Sequence, residues 1–71
     1  MQPFYVTYAL GSNLDHCYST VYSDDYAKAR EMVERATNLN FAFMYNAESF
    51  KGQPEKYGLT EVDLQPQVMV E

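Results

Sequence analysis

An amphipathic segment at residues 23–38 constrains the fold more than any other part of this sequence, because it alone indicates one long element. Ala29, Met32, Val33 and Ala36 recur at i, i+3, i+4 and i+7, which is the spacing of one apolar helix face. A chain of 71 residues has little other surface to bury, so we expect this face to pack on the chain's own sheet. A partner-binding face is the alternative interpretation.

Capping residues stand at both ends of the predicted helix. We expect Ser23 to be the N-cap, because its hydroxyl can accept a hydrogen bond from a free N–H of the first turn. Asp24 and Asp25 follow where the helix dipole favours negative charge, and Asn38 tolerates the left-handed conformation that closes a helix. Two exposed i,i+4 ion pairs, each contributing about 0.2–0.5 kcal/mol, are expected: Asp24 with Lys28 and Glu31 with Arg35.

Two alternating runs precede the helix and predict an antiparallel hairpin. Residues 17–22 form the second run, and both of its faces carry apolar groups, so the buried face stays open. Residues 11–16 are rich in turn-forming types and predict a loop, with Leu14 against the edge of the core. The first run, residues 3–10, places four apolar side chains on one face: Phe4, Val6, Tyr8 and Leu10.

A third strand is predicted after the helix, at residues 39–45, where aromatic residues alternate. A right-handed crossover through the helix would make this strand parallel to the second one. The first strand then lies in the middle of the sheet, antiparallel to both neighbours. Its apolar composition agrees with that central position.

The last third of the chain predicts shorter elements. Residues 46–51 indicate one helical turn anchored by Phe50. Residues 53–58 are expected to form a loop in which Tyr57 covers the core. Residues 59–64 predict a short edge strand.

Together these elements predict an α+β fold. We expect a three- to four-stranded, mainly antiparallel sheet in the order ββαβ(β), with one helix on one face and the other face open. Residues 1–64 form the single predicted domain, and residues 65–71 form a C-terminal tail. Whether Val68 and Val70 of this tail add to a sheet edge stays open.

Charge and cysteine content narrow the class of function. Ten acidic residues against five basic ones give a net charge of −5, which disfavours binding to nucleic-acid phosphates or anionic membranes and permits a basic partner. Cys17 is the single cysteine, so it cannot form a disulfide within the chain, and a reducing compartment is expected. The sequence opens without the pattern of a signal peptide and contains no long apolar run, so we expect a cytoplasmic protein.

Asp15, His16 and Cys17 form the one cluster with catalytic residue types. Neighbouring residues at the start of a strand point to opposite faces, so the His16 and Cys17 side chains are predicted to diverge. A structural zinc site usually needs four Cys or His ligands, and the chain has only these two. We therefore predict no catalytic residue, no metal site and no cofactor, and we do not expect an enzyme.

Aromatic residues make up 15% of the chain, with seven Tyr and four Phe. Tyr combines a large apolar ring with a polar tip, which suits an interface. Stacking of single-stranded nucleic-acid bases is one alternative, although that mode normally needs a basic groove. Mimicry of DNA by acidic charge is another. Protein binding, including formation of a homodimer, is the preferred role for a candidate interaction surface of four residues: Tyr5, Tyr18, Tyr22 and Tyr57.

Three stretches also carry a resemblance: FYVTYALGSN, AKAREMVERATN and FAFMYNAESFKGQPEKYGLTEV. The chain resembles short hypothetical proteins encoded by bacteriophages and prophages, in which a strand hairpin, an Ala-x-x-x-Ala-Arg-like helix start and an aromatic strand lead to a Tyr-Gly-Leu. The resemblance implies a phage or prophage origin, action in the host bacterial cytoplasm, an unknown host or phage protein as partner, and no established activity. Members commonly carry Trp in the third strand, where this chain has Phe41. The other matching positions are Ala27 to Arg30, Phe50 and Tyr57-Gly58-Leu59.

Overall fold

The computed structural model describes residues 1–70, and its elements form a four-stranded sheet with α1 on one side and two short helices on the other. This arrangement confirms the predicted α+β fold. The elements follow one another as β1 (Gln2–Thr7), β2 (Cys17–Ser23), α1 (Tyr26–Thr37), β3 (Phe43–Asn46), α2 (Ala47–Phe50), α3 (Gln53–Tyr57) and β4 (Thr60–Glu61).

The strand order in the sheet is β3-β1-β2-β4. β1 is antiparallel to both β2 and β3, so the first strand occupies the central place that its apolar composition predicted. β4 runs parallel to β2, which makes the sheet mixed, with mostly antiparallel strands.

The main core lies between α1 and one face of the sheet. In the register of β1 and β2, Phe4 is opposite Val21 and Val6 is opposite Ser19, and all four are buried. The sequence did not determine which face of β2 is buried. In the structure, the odd-numbered residues of β2 face α1. The complete buried cluster comprises Phe4, Val6, Tyr8, Leu14, Val21, Ala29 and Val33.

Helix α1 begins later than predicted. Ser23 is not the N-cap, because β2 continues through Ser23, which pairs with Gln2. Asp25 caps the helix instead, and its Oδ1 accepts a hydrogen bond from the backbone N–H of Lys28 at 2.8 Å. The predicted C-terminus is confirmed, since Asn38 has a left-handed backbone with φ of 53°. Both predicted ion pairs are present, with N–O distances of 3.7 Å for Lys28–Asp24 and 3.1 Å for Arg35–Glu31.

The buried face of α1 is narrower than the predicted stripe. Ala29 and Val33 are fully buried, but Met32 and Ala36 are exposed, so the prediction was wrong for these two residues. Thr37 extends the buried face because its hydroxyl donates to the backbone carbonyl of Val33 at 2.6 Å, which satisfies the polar group inside the protein.

Two further predictions were wrong in their boundaries. β1 ends at Thr7, so Leu10 lies outside the strand and is exposed, and β3 begins only at Phe43. Helix α2 confirms the predicted turn, with the Asn46 side chain as its cap and Phe50 buried.

The predicted loop at residues 53–58 contains helix α3. Pro54 lies in the first turn of this helix. The missing N–H of a proline removes no helical hydrogen bond at that position, and its fixed φ favours the helix. Gly58 ends the helix in a left-handed conformation with φ of 63°.

The tail packs against the loop between β1 and β2. The Val68 carbonyl accepts a hydrogen bond from Asn13 N–H at 2.8 Å, and Val70 N–H donates to the Gly11 carbonyl at 2.9 Å. The buried Gln67 side chain accepts a hydrogen bond from Ala9 N–H at 2.6 Å. Glu71, the last residue of the predicted tail, lies outside the described residues. Across residues 1–70, none of the helices has the length and apolar character that crossing a membrane would need.

Candidate interaction surface

The centre of the sheet face opposite α1 is an aromatic cluster. Phe50 stacks on Tyr5 with ring centroids 4.5 Å apart and an interplanar angle of 11°. It also lies 5.2 Å from the Tyr18 ring and 5.7 Å from the Tyr45 ring. Phe50 is itself buried, so α2 covers the middle of this face. The expectation that the whole face is open was therefore wrong.

The four tyrosines of the candidate interaction surface do not form one exposed patch. Tyr5 and Tyr18 lie together, with centroids 6.2 Å apart, but both are half-buried in the aromatic cluster. Tyr22 and Tyr57 are 59% and 53% exposed, and they line two different cavities. The most exposed parts of the predicted surface are therefore the surroundings of these two residues.

Tyr22 borders a groove beside the outer edge of β2. The groove has a volume of about 690 Å³ and is lined by Thr20, Tyr22 and residues 61–65; we call it the Tyr22 groove. It exists because β4 pairs with β2 only at Cys17 and Tyr18, after which the chain leaves the sheet edge. The Thr20 hydroxyl donates to Glu61 Oε2 at 2.6 Å, which fixes one carboxylate at the groove wall.

A short polar network holds the wall of this groove to the core. The Ser19 hydroxyl donates to the Val62 carbonyl at 2.8 Å, and the buried Tyr8 hydroxyl lies 2.7 Å from Ser19 Oγ. Because the Ser19 proton is used toward Val62, the Tyr8 hydroxyl donates to Ser19. The buried Tyr8 and Ser19 side chains thus hold residues 61–65 in place through the Val62 carbonyl.

Removing the Ser19 hydroxyl should destabilise the protein. Ser19→Ala leaves the buried Tyr8 hydroxyl without its acceptor, and we expect the free energy of unfolding to fall by about 1–3 kcal/mol in urea denaturation. The double variant Tyr8→Phe/Ser19→Ala removes both groups and should lose less than the two single losses combined, with a coupling of at least about 0.5 kcal/mol. Strict additivity of the two single variants would contradict the network.

Carboxylates set the electrostatics of this side of the sheet. Partial burial raises the pKa of the Tyr18 phenol above its usual value, and the charges of Glu61 and Glu55 raise this pKa further. All three cations of α1 are paired with nearby carboxylates: Lys28 with Asp24, just before the helix, and Arg30 with Glu34 and Arg35 with Glu31 within it.

Tyr57 borders a second cavity, of about 390 Å³, at the end of the sheet. His16 and Cys17 both line this cavity, and the divergence of their side chains stays a prediction. His16 has a left-handed backbone with φ of 62°, which interrupts the alternation on which that prediction relied. The remaining lining comes from strand ends, α3 and apolar neighbours: Thr7, Tyr8, Leu10, Tyr45, Gln53 and Leu59.

The chemistry around His16 supplies little for a reaction. His16 Nε2 lies 3.4 Å from Asp15 Oδ1, and Asp15 Oδ2 accepts a hydrogen bond from Gly11 N–H at 3.0 Å. In the part of the chain that the structure describes, no hydrogen bond joins the imidazole to the Cys17 thiol. Over the same residues, no group of three or more His, Cys, Asp or Glu is placed to hold a metal ion.

Sequence reasoning missed the Tyr22 groove and the role of Phe50 as a cover. The helical turn and its Phe50 anchor were predictable from NAESF, but the face they cover depends on where the chain goes after β3. The groove arises from the early end of the β2–β4 pairing, for which the sequence carried no signal that we recognised. Comparisons of the chain with protein-family models, with curated proteins and with solved structures find no match.

Proposed function

We propose that this protein is a non-enzymatic accessory factor of phage or prophage type that binds a host or phage protein. The observation that carries the proposal is the placement of Tyr22 and Tyr57, which are exposed and each border a cavity. Aromatic residues beside a pocket supply large contact area and a polar tip, and such residues often dominate the energy of an interface. The phage origin rests on the sequence resemblance, and the cytoplasmic location rests on the single cysteine.

A binding role is favoured over catalysis by the groups at the Tyr57 cavity. A cysteine nucleophile is activated by a base within hydrogen-bond reach or by a lowered pKa. His16 borders the same cavity as Cys17, but its short contact is to Asp15.

Nucleic-acid binding has weaker support as the alternative. The rings that would stack bases, Tyr5 and Tyr18, are half-buried and pack against Phe50. Glu61 and Asp63 line the neighbouring groove and would repel phosphates. A gel-shift assay tests both forms of this alternative, because direct binding shifts an oligonucleotide, whereas a DNA mimic displaces a host protein from it.

The proposed function predicts capture of a specific protein through one of the exposed tyrosines. Purified chain is immobilised, incubated with bacterial lysate, and the enriched protein is then purified and titrated directly. We expect Tyr22→Ser or Tyr57→Ser to weaken that binding at least about tenfold, because anchors at pocket edges contribute about 2 kcal/mol or more. Met32→Ser is the matched control, since Met32 is similarly exposed (46%) but lies on α1.

Two results would contradict the proposal. One is the absence of any reproducibly enriched protein. The other is a partner that binds the two tyrosine variants and the Met32→Ser control with equal affinity.

Self-association is a second candidate, favoured by exposed apolar groups beside the edge strand β3. Leu39 and Phe43 are 70% and 65% exposed there. Within residues 1–70, β3 pairs only with β1, so one edge of this strand is free to pair with a second copy. Light scattering at high micromolar concentration tests this candidate, and a monomeric mass at that concentration would contradict it.

A further inference from the structure

We infer that the Tyr22 groove binds an extended segment of a partner protein that carries lysine or arginine side chains and pairs with the free edge of β2. This inference rests on the proposed function, and it specifies the chemistry of the partner. Three features of the groove support it: an unpaired stretch of strand, a wall of carboxylates, and an exposed aromatic ring.

The unpaired stretch follows from the hydrogen bonds of β2. The carbonyls of His16 and Tyr18 accept from Thr60 N–H at 2.9 Å and from Val62 N–H at 2.8 Å. Backbone groups of alternate residues point to the same edge of a strand, so the N–H and C=O groups of Thr20 and Tyr22 face this edge too. The pairing with β4 stops at Tyr18, which leaves these groups in the groove.

A free strand edge is a template for another strand. Peptides that bind in this way gain affinity from main-chain hydrogen bonds and specificity from alternate side chains. The groove has the necessary room, because its volume of about 690 Å³ lies between the edge of β2 and residues 61–65. The Ser19–Val62 hydrogen bond keeps that far wall in place.

The charged groups of the groove select a basic segment. Glu61 and Asp63 line it, both are exposed, and no cation is among its lining residues. Tyr22 adds an exposed ring against which an arginine or lysine can pack. On the other side of Tyr22, the α1 cations Lys28 and Arg35 are each paired with a neighbouring carboxylate, Asp24 and Glu31 respectively.

Charge also argues against the other occupants. A second copy of this chain carries the same net charge of −5 and would bring no surplus of cations to the groove. A nucleic acid would place phosphates against Glu61 and Asp63, which costs free energy. A basic segment of a different protein satisfies both the strand edge and the carboxylates.

A direct probe is an eight-residue peptide of alternating arginine and threonine, titrated onto the full chain by calorimetry and NMR. We expect binding that weakens as salt is raised, and slower hydrogen exchange of the Thr20 and Tyr22 amides in the complex. The same peptide with glutamate in place of arginine should not bind. The inference is overturned if the arginine peptide does not bind, or if hydrogen exchange slows only for the amides of β3.

Variants that neutralise carboxylates identify which of them bind the peptide. Glu61→Gln/Asp63→Asn keeps the shapes of both side chains and removes two charges, and it should weaken peptide binding at least about tenfold. Glu34→Gln/Glu48→Gln changes the net charge equally at residues outside the groove, so it is the matched control and should change affinity less than about twofold. Equal weakening by the two double variants would overturn the inference, because it would reduce the effect to net charge.

The partner captured from lysate separates this inference from the proposed function. If Glu61→Gln/Asp63→Asn binds that partner as tightly as the unaltered chain does, the protein is still an interaction factor but the groove is not its site. If no partner is captured while the arginine peptide binds and protects Thr20 and Tyr22, the groove chemistry is supported and the proposed cellular function is not.

Discussion

Phe50→Ala is expected to lower the free energy of unfolding by about 3–5 kcal/mol, the largest effect of any substitution considered for this chain. The Phe50 ring is buried against three tyrosines, including the stacked Tyr5 ring 4.5 Å away. Its removal leaves a cavity and exposes the centre of a sheet face. A domain of 71 residues has a total stability of about 4–10 kcal/mol, so the variant should be close to unfolding at 25 °C.

Urea denaturation followed by circular dichroism measures this loss. Phe43→Ala is the matched control, because Phe43 has the same ring on the same sheet face but is 65% exposed, and it should lose less than about 1 kcal/mol. Phe50→Leu keeps most of the volume and should recover most of the loss. A Phe50→Ala variant within 1 kcal/mol of the unaltered chain would show that α2 does not stabilise the fold.

The order of β1, β2 and β3 could be predicted from sequence because alternation and one crossover rule were enough to determine it. Phe4 and Val6 give β1 the apolar composition of a central strand, and the crossover rule puts β3 beside it. The place of β4 beside β2, and its parallel direction, were not predicted. Asn38 and the turn ending at Phe50 were also identified, since capping and turn chemistry are local properties of the chain.

The errors arose where tertiary contacts outweigh local preference. Ser23 has the chemistry of a helix cap, but it pairs with Gln2 and therefore belongs to β2. Asp25 caps the helix instead. Thr37 is buried because a hydrogen bond to its own helix satisfies its hydroxyl. A periodicity of apolar residues alone cannot reveal such a satisfied polar group.

The candidate surface was predicted only in part for a similar reason. Tyrosine content indicated a face with aromatic residues, but accessibility depends on which tyrosines Phe50 covers. Tyr22 is exposed and lies beyond the end of the β2–β4 pairing. The residue types of a single sequence do not report the length of a strand pairing, so neither the groove nor its carboxylates could be predicted from the sequence.

Val33→Ala is expected to lower the free energy of unfolding by about 2–3 kcal/mol, because Val33 has no solvent exposure and packs in the core beneath α1. Met32→Ala is the neighbouring control. Its side chain is 46% exposed, and alanine favours the helix slightly, so this change should cost no more than about 0.5 kcal/mol. The sequence pattern assigned both residues to one buried face, so the two variants measure directly which helix face meets the sheet. If both variants lose the same free energy of unfolding in urea denaturation, Met32 and Val33 are both buried, and the narrower buried face of α1 described above is contradicted.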